Sequence, residues 1–172
     1  MSGQDDKDAA GREYFRPDST MTRAELVTVL YNMEGRPAVE VEPIFDDVTE
    51  DPYQWFVEEV TWAAQNKIVY GTSETEFSPN APISRQDLAA ILYRYAVNYK
   101  GLELTVEDAE QQLSAFVDVD QIAVYGWTPL AALNKAGVIT GDGDRLKPQD
   151  SATRGEVASL FARFVQNVLE AN

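Results

Sequence analysis

The sequence predicts an all-α fold made of helix-loop-helix repeats. The first observation is a phrase that occurs three times: an apolar residue two positions before Pro and seven before Thr or Ser, then Arg, then an acid. The second is that apolar residues recur at helical spacing after every copy. The copies are Phe15-Arg16-Pro17 with Thr22-Arg23-Ala24-Glu25, Phe77-Ser78-Pro79 with Ser84-Arg85-Gln86-Asp87, and Leu146-Lys147-Pro148 with Thr153-Arg154-Gly155-Glu156. Chance does not repeat such a phrase, so the chain is predicted to be a repeat protein.

The first repeat, residues 15–38, is predicted to be incomplete. Residues 1–14 form a polar tail without the apolar pattern of a helix. A helix is predicted from Arg23, because apolar residues recur at helical spacing as far as Met33. The segment 35–44 contains one glycine and two prolines, and it is therefore predicted to be extended.

The second and third repeats, residues 45–97 and 116–170, each begin with another shared pattern. It opens on Phe, continues to Asp-Val, contains one aromatic residue and ends near a glycine, which predicts a leading helix in each repeat. In the linker, residues 98–115, one further helical turn is predicted at 109–113, after Asp108. The matching pairs are Phe45 with Phe116, Asp47 with Asp118, Val48 with Val119, Trp55 with Tyr125, Val60 with Leu130, Ile68 with Val138, and Gly71 with Gly141.

The hydroxyl and the acid of each phrase fit a helix capping box. In such a box the hydroxyl accepts from the third backbone N–H, and the acid reaches back to the N–H of the cap residue. Thr22 with Glu25 and Thr153 with Glu156 have the usual side-chain lengths. Asp87 is one methylene shorter, so its return bond is less favoured. Helix capping therefore explains the hydroxyl residues and the acids.

Helix capping does not explain the Arg of each phrase. Arg23, Arg85 and Arg154 occupy the first helical position, where the helix dipole disfavours a cation by roughly 0.3–1 kcal/mol. A guanidinium beside unpaired helix N–H groups is suited to binding a carboxylate. Two interpretations stay open. Either each Arg pairs with an acid of the adjoining repeat, such as Asp47 or Asp118, or the arginines bind an anionic ligand.

Trp55 and Tyr125 occupy matching positions in the two leading segments. Single aromatic residues at helical spacing are more often core than ligand platform, and both interpretations stay open for these two residues. Trp62 and Trp127 lie on other faces of the same predicted helices, and one of them is predicted to be in the core.

Gly71 and Gly141 are predicted to end the leading helices in a left-handed conformation. The run Gly141-Asp142-Gly143-Asp144 hints at a calcium loop, but an EF-hand would need Glu eleven residues after Asp142, where the chain has Thr153. A turn is predicted there, and no metal or cofactor is expected.

Composition narrows the functional class. The chain has 29 Asp and Glu against 14 Lys and Arg, and its net charge of -15 disfavours nucleic acid and anionic lipid surfaces as partners. No apolar stretch approaches the roughly 20 residues of a membrane span. The absence of Cys and His removes thiolate and imidazole chemistry. No catalytic residue is predicted, and a glycosidase-like carboxylate pair stays a formal alternative.

These motifs resemble the S-layer homology domain, whose units read approximately as Phe-x-Asp-Val, Trp, Gly-Ile-x-x-Gly, Phe-x-Pro and Thr-Arg-Ala-Glu. Residues 45–97 and 116–170 make two full units, and 15–38 makes the second half of another. Lys67 in place of the first glycine and Tyr125 in place of Trp depart from the pattern. The resemblance implies a pseudo-threefold helical bundle with binding grooves between its units.

The resemblance also implies a function. Members of the family anchor exported proteins to bacterial cell walls by binding secondary cell wall polysaccharides, which often carry pyruvate. The implied partner is an anionic, pyruvylated polysaccharide, and the implied location is extracellular, at the cell wall or S-layer, with the signal peptide absent from this sequence. The implied protein is not an enzyme. The implied ligand contacts are Arg23, Arg85, Arg154, Trp55, Tyr125, Asp47, Asp118, Gly71 and Gly141.

A protein-interaction or self-assembly scaffold of a surface layer is the alternative function. The incomplete first repeat could pair with another molecule and produce a homo-oligomer. Arg23, whose own repeat lacks a leading helix, is expected to be the least used of the three motif arginines.

Overall fold

The computed structural model describes residues 16–50 and 54–171, and within them it contains six α-helices and no β-strand. The predicted all-α fold is confirmed. The tail at 1–14 and Phe15, which opens the first phrase, lie outside the described residues. The helices are α1 (Arg23–Met33), α2 (Val57–Gln65), α3 (Arg85–Arg94), α4 (Ala109–Gln112), α5 (Trp127–Lys135) and α6 (Arg154–Phe164).

Shorter turns extend or precede these helices. Single π-helical turns, Tyr95–Tyr99 and Val165–Leu169, continue α3 and α6. Two 3-10 turns, Val119–Gln121 and Val124–Gly126, lead into α5. The extra helical turn predicted in the linker is α4, and the Asp108 side chain caps it by accepting from Gln111 N at 3.0 Å.

Helices α1, α3 and α6 begin at the motif arginines, as the repeated phrase predicts. In α1, Thr22 Oγ1 accepts from Glu25 N at 3.2 Å, and Glu25 Oε2 accepts from Thr22 N at 2.8 Å. The same two bonds form the box of α6. In α3, Ser84 accepts from Asp87 N, but the shorter acid makes no return bond to the cap. The prediction from side-chain length is confirmed.

The leading helices α2 and α5 pack on the helices of the preceding repeats. Helix α2 lies against α1, where the rings of Tyr31 and Trp62 are 5.5 Å apart, and α5 lies against α3. Trp62 also meets Tyr99 edge-on at 5.2 Å and is 3% exposed. The prediction that one of Trp62 and Trp127 belongs to the core is confirmed by Trp62.

The leading helices end earlier than predicted. Helix α2 ends before Lys67, with φ 56°, and α5 ends before Gly137, with φ 71°. These residues, rather than Gly71 and Gly141, take the left-handed position after each helix. The prediction for the two glycines is wrong, because Ile68 N bonds to Ala63 O and already closes the end of α2 at 2.8 Å.

Backbone hydrogen bonds join the three repeats in a closed ring. The N–H at the first position of each motif helix donates to a carbonyl in the connector of the next repeat: Arg23 to Ala81 at 3.0 Å, Arg85 to Asp150 at 2.9 Å, and Arg154 to Ser19 at 2.8 Å. The N–H groups one residue later donate to Pro79, Pro148 and Pro17. Each repeat therefore fills unpaired helix donors of another. The pseudo-threefold symmetry of the bundle stays a prediction.

Candidate ligand-binding grooves between the repeats

Each motif arginine reaches into the next repeat. Arg23 Nε donates to Phe77 O at 2.8 Å, and Arg85 Nε donates to Leu146 O at 2.9 Å. Each guanidinium therefore donates from Nε to the backbone carbonyl of the first residue in the following connector, which is Phe-x-Pro for Arg23 and Leu-x-Pro for Arg85.

The same guanidinium groups pair with the capping acids of the next repeat. Arg23 Nη1 lies 3.2 Å from Asp87 Oδ2, and Arg85 Nη1 lies 3.2 Å from Glu156 Oε1. Arg154 Nη1 closes the ring with Glu25 Oε1 at 3.0 Å. An ion pair between repeats was one of the two open interpretations, with Asp47 or Asp118 as examples of the acid. The acids are instead those of the repeated phrase.

Asp47 and Asp118 hold the connectors. The Asp47 carboxylate accepts from Phe77 N at 2.8 Å and Ser78 N at 2.7 Å. Asp118, which is 2% exposed, accepts in the same way from the two residues that begin the third connector. Burial by itself raises the pKa of Asp118, but these backbone donors lower it below its ordinary value. Neither aspartate lines the two cavities between the repeats that are described below.

These carboxylates stabilise an unusual backbone conformation. Ser78 and Lys147, the second residues of their connectors, have φ of 58° and 52°, and Arg16 has 48° in the first connector. Residues with a side chain rarely adopt this left-handed region. The bonds from Asp47 and Asp118 fix the connector and thereby place the carbonyl that receives the arginine.

Two cavities repeat the same arrangement, and we call them the first and the second groove. Both are lined by a motif Arg of one repeat and by three features of the next repeat. These features are its glycine turn, its capping acid and a second Arg, which lies nine positions after the motif Arg of that next repeat. The first groove, about 330 Å3, is lined by Arg23, Tyr70, Gly71, Thr72, Asp87, Ala90, Ile91, Arg94 and Tyr125. The second, about 370 Å3, is lined by Arg85, Ile139, Thr140, Gly141, Asp142, Lys147, Gly155, Glu156, Ser159, Leu160 and Arg163.

The first groove is closed on one side by Tyr125. Its hydroxyl donates to Asp87 Oδ1 at 2.6 Å. Burial, followed by this hydrogen bond, raises the pKa of Tyr125 to about 12. Arg23 also donates to Tyr70 O at 3.2 Å, and the Arg94 guanidinium lies 4.6 Å from the centre of the Tyr70 ring. Burial lowers the pKa of both arginines.

The second groove is more open and more polar. Among the described residues, no aromatic side chain takes the place of Tyr125 there. Lys147 pairs with Asp142 at 2.5 Å on the outer rim. Arg163 occupies the position that Arg94 has in the first groove, and its Nε is buried without a hydrogen-bond partner.

The structure brings together some predicted site residues and separates others. Arg23, Gly71 and Tyr125 line the first groove, and Arg85 and Gly141 line the second. Arg23 was expected to be the least used arginine. That expectation rested on the missing leading helix of the first repeat, but Arg23 contacts the second repeat, and its part in ligand binding stays a prediction.

Trp55 and Arg154 lie outside both grooves. Trp55 is 58% exposed beside a separate cavity that Arg36 and Glu58 help to line. Tyr125 is 49% exposed. The interpretation of these two residues as core residues does not hold, because each lies before the first residue of its leading helix and helical spacing does not govern its direction.

The second cation of each groove was not predicted from the sequence. Arg94 and Arg163 both stand nine positions after a motif Arg, and the first repeat has Asn32 there. A comparison of the repeats continued nine residues past each motif Arg, about two and a half helical turns, identifies both. Tyr70 and Lys147 carried no comparable signal.

The local backbone limits what a ligand can contact. The first two N–H groups of α1, α3 and α6 donate to neighbouring connectors, and the third donates to the capping hydroxyl. The unpaired helix donors that were predicted to bind a carboxylate are therefore occupied. Within the described ranges, no cluster of acids is arranged to hold a metal ion, and no helix has the length and hydrophobicity of a membrane span.

The chain is similar in sequence to known proteins. A model of the S-layer homology domain matches residues 44–89 and 115–158. The Surface-layer 125 kDa protein of Lysinibacillus sphaericus is 32% identical over 158 residues, which are 90% of this chain and 12% of that protein. The amylopullulanase of Thermoanaerobacterium thermosulfurigenes is 29% identical over 126 residues, covering 73% of this chain and 6% of the enzyme. The S-layer protein sap of Bacillus anthracis is 25% identical over 153 residues, with coverages of 87% and 17%. The chain thus spans a small part of the length of each relative.

Proposed function

The chain belongs to the S-layer homology family, and from this membership we propose that it anchors its parent protein non-covalently by binding an anionic, pyruvylated cell-wall polysaccharide in its grooves. Family membership and the surface-layer relatives place the chain at the bacterial cell surface, in association with the wall. The relatives named as enzymes match it over a small part of their length. We therefore assign it an anchoring role and no catalytic activity.

The observation that supports ligand binding is the repetition of one groove. Arg23 and Arg85 each bond to a connector carbonyl and a capping acid of the next repeat, and a second arginine, Arg94 or Arg163, lines the same groove. An ion pair that only joins repeats requires neither a cavity nor a second cation. The repeated combination of both favours an anionic ligand.

Local charge favours the same ligand class. The first groove has two guanidinium groups and one carboxylate, and the second has three cations and two carboxylates, so each has one positive charge in excess. The chain as a whole has a formal net charge of -15. Interactions between exposed charges are screened over about 8 Å at physiological ionic strength. The local excess therefore governs the capture of a small carboxylate.

We assign the carboxylate contact to Arg94 and Arg163 rather than to the motif arginines. Arg23 already donates three hydrogen bonds within the protein, and its side chain is 7% exposed. Within the described residues Arg163 forms no ion pair, so a ligand carboxylate could bind its guanidinium without displacing a carboxylate of the protein. Arg23 and Arg85 then hold the groove walls together and contribute positive charge.

Aromatic rings give the first groove a surface for the sugar itself. Tyr70 and Tyr125 line it and are 53% and 49% exposed. A pyranose ring has an apolar face that packs well on an aromatic ring with a polar edge. The second groove has Thr140 in the place of Tyr70, so we propose that the first groove contributes more of the affinity for sugar.

Co-sedimentation with bacterial cell walls, native or stripped of pyruvate, tests the proposal. We expect binding to fall at least about tenfold on stripped walls, a loss of roughly 1.4 kcal/mol. Arg94→Gln and Arg163→Gln should weaken binding to native walls, whereas Arg36→Gln, an exposed guanidinium outside both grooves, should not. Equal binding to both walls would exclude the pyruvylated ligand, and no binding to either would exclude glycan anchoring.

A further inference from the structure

The residue that follows the motif Arg differs among the three repeats. It is Ala24 in the first repeat, Gln86 in the second and Gly155 in the third. Gln86 is buried, with 4% of its surface exposed, although proteins mostly leave glutamine in contact with water. A buried amide is costly unless its polar atoms are hydrogen-bonded, so the partners of Gln86 indicate what it does.

The Gln86 amide bonds at both ends to the segment that leads into α5. Its Oε1 accepts from Ala123 N at 3.0 Å, and its Nε2 donates to the Tyr125 hydroxyl at 3.3 Å. A backbone N–H can only donate, so Ala123 determines which end of the amide faces Tyr125. The phenol oxygen therefore accepts from Gln86 and donates its own hydrogen to Asp87 at 2.6 Å.

Close packing accompanies these hydrogen bonds. Gly126, the residue after Tyr125, is buried, and a Cβ atom at this position would lie 3.3 Å from Gln86 Oε1. The 3-10 turn Val124–Gly126 thus lies directly on the Gln86 side chain. The hydroxyl of Tyr125 is held by two partners, while its ring stays exposed where it lines the first groove.

The second repeat provides an internal comparison. Trp55 matches Tyr125 in the sequence, but it lines neither groove. The helix that α2 packs against has Ala24 in the place of Gln86, and a methyl group offers no hydrogen bond. The capping acid there, Glu25, uses its oxygens for its own helix cap and for a motif arginine. Where the glutamine is missing, the matching aromatic residue does not enter a groove.

We propose that Gln86 is a positioning residue, which holds Tyr125 at the first groove and so gives that groove the aromatic wall on which a sugar packs. The effect on glycan binding rests on the proposed function, whereas the position of Tyr125 does not. Gln86 itself lines neither groove, so it acts through Tyr125 and not by touching the ligand. The residue after the motif Arg thus determines the specificity of the first groove.

Titration of Tyr125 tests the positioning without a ligand. Gln86→Met keeps a side chain of similar length and removes both hydrogen bonds. We expect the Tyr125 pKa to fall from about 12 to about 11 or lower, because the released ring would lose burial and its bond to Asp87. The measurement is tyrosinate absorbance against pH, taken as the difference between each protein and its Tyr125→Phe counterpart.

Two further variants make the titration decisive. Gln86→Ala introduces the residue that the first repeat has at this position, and it should lower the Tyr125 pKa in the same way. Gln149→Met is the matched control. Gln149 Nε2 donates to Gln121 O at 2.8 Å, in the same leading segment, so this variant also loses a bond to that segment but should leave the Tyr125 pKa unchanged.

Co-sedimentation with native cell walls tests the consequence for the ligand. We expect Gln86→Met to weaken binding at least about threefold. In a Tyr125→Ala background the same change should cause no further loss, because a residue that acts through Tyr125 then has nothing to position.

Two results would overturn the role of Gln86: an additional loss of binding in the Tyr125→Ala background, or a Tyr125 pKa that is unchanged in both Gln86→Met and Gln86→Ala. Failure of the unsubstituted chain to bind cell walls would instead refute the proposed function. The titration needs no ligand and would still decide whether Gln86 positions Tyr125.

Discussion

The hydroxyl of Tyr125, in the third repeat, donates a 2.6 Å hydrogen bond to the Asp87 carboxylate of the second. The other Asp87 oxygen pairs with Arg23 of the first repeat at 3.2 Å. One carboxylate therefore joins all three repeats. It is available for both contacts because Asp is too short to bond back to its own helix cap, as Glu25 and Glu156 do.

We predict that Asp87→Asn lowers the pKa of Tyr125 from about 12 toward 10 without reaching it. Burial is the larger cause of the raised pKa and would remain, whereas the negative charge beside the hydroxyl would be lost. The measurement is the ultraviolet absorbance of tyrosinate against pH, taken as the difference between each protein and its Tyr125→Phe counterpart.

The same titration has a consequence for stability. A tyrosine whose folded pKa lies above its unfolded value stabilises the fold fully below about pH 10, and this contribution is lost as pH rises toward 12. In the Asp87→Asn protein this loss should begin at the same pH, which the unfolded pKa sets, but it should end at a lower pH and be smaller in total. A Tyr125 pKa near 10 in the unsubstituted chain would contradict the hydrogen bond.

Much of the fold could be predicted because its signals are local. A hydroxyl, an acid three residues later and an apolar stripe together determine where α1, α3 and α6 begin. The missing return bond of Asp87 followed from the length of one side chain. The end of α2 could not be predicted, because Lys67 adopts a conformation that favours glycine and does so to bring Ile68 into the core.

We predict that Arg23→Ala destabilises the protein more than Arg85→Ala. Both lose a bond to a connector carbonyl and an ion pair, but Arg23 also loses its bond to Tyr70 O, and its side chain is 7% exposed against 18% for Arg85. Removing one partner of a buried pair costs about 3 kcal/mol, and less for a partly exposed pair, about 1–2 kcal/mol. Urea unfolding measures both.

Arg94→Ala provides the control for this comparison. It removes an arginine from the first groove that stacks on Tyr70 and makes no ion pair with any residue that the structure describes, so the expected loss is below about 1 kcal/mol. Equal destabilisation by Arg23→Ala and Arg94→Ala would contradict the structural role assigned to Arg23.

The candidate site was harder to predict than the fold because it depends on contacts between distant segments. The motif arginines stood out in the sequence by their unfavourable helix position. Only the closed ring of contacts between the repeats shows that each of them reaches the next repeat. Asp47 appeared to be an available acid, whereas its two oxygens are already used by Phe77 N and Ser78 N. Periodicity could not place Tyr125, which lies in a 3-10 turn before α5.

We predict that Asp118→Asn costs about 2 kcal/mol of unfolding free energy at pH 7. The carboxylate accepts from Leu146 N and Lys147 N, and an amide has only one oxygen to offer to two donors. Because the folded pKa lies below its ordinary value, the contribution is present above about pH 4 and is lost as pH falls through the folded pKa.

Stability measured against pH tests this prediction. The difference between the unsubstituted chain and Asp118→Asn should be constant near neutrality and should shrink in acid. Asp120→Asn, at an exposed position two residues away, should change stability by less than about 0.5 kcal/mol. A difference that grows in acid would show that Asp118 is not ionised in the folded state.

We predict that Gly71→Ala destabilises the protein by more than about 2 kcal/mol and disturbs the first groove. A Cβ atom at this position would lie 2.2 Å from Ser73 O and 2.5 Å from Glu76 O, and both are backbone atoms that cannot move without the turn. The turn supplies Tyr70 O to Arg23, so its displacement would also break that bond.

Gly143→Ala is the matched change: its Cβ would meet nothing within 4 Å, so the expected cost is that of a positive φ alone, about 1 kcal/mol. Guanidinium unfolding of the two variants separates steric conflict from backbone strain, and equal losses would mean that the Gly71 turn is not constrained by close backbone approach.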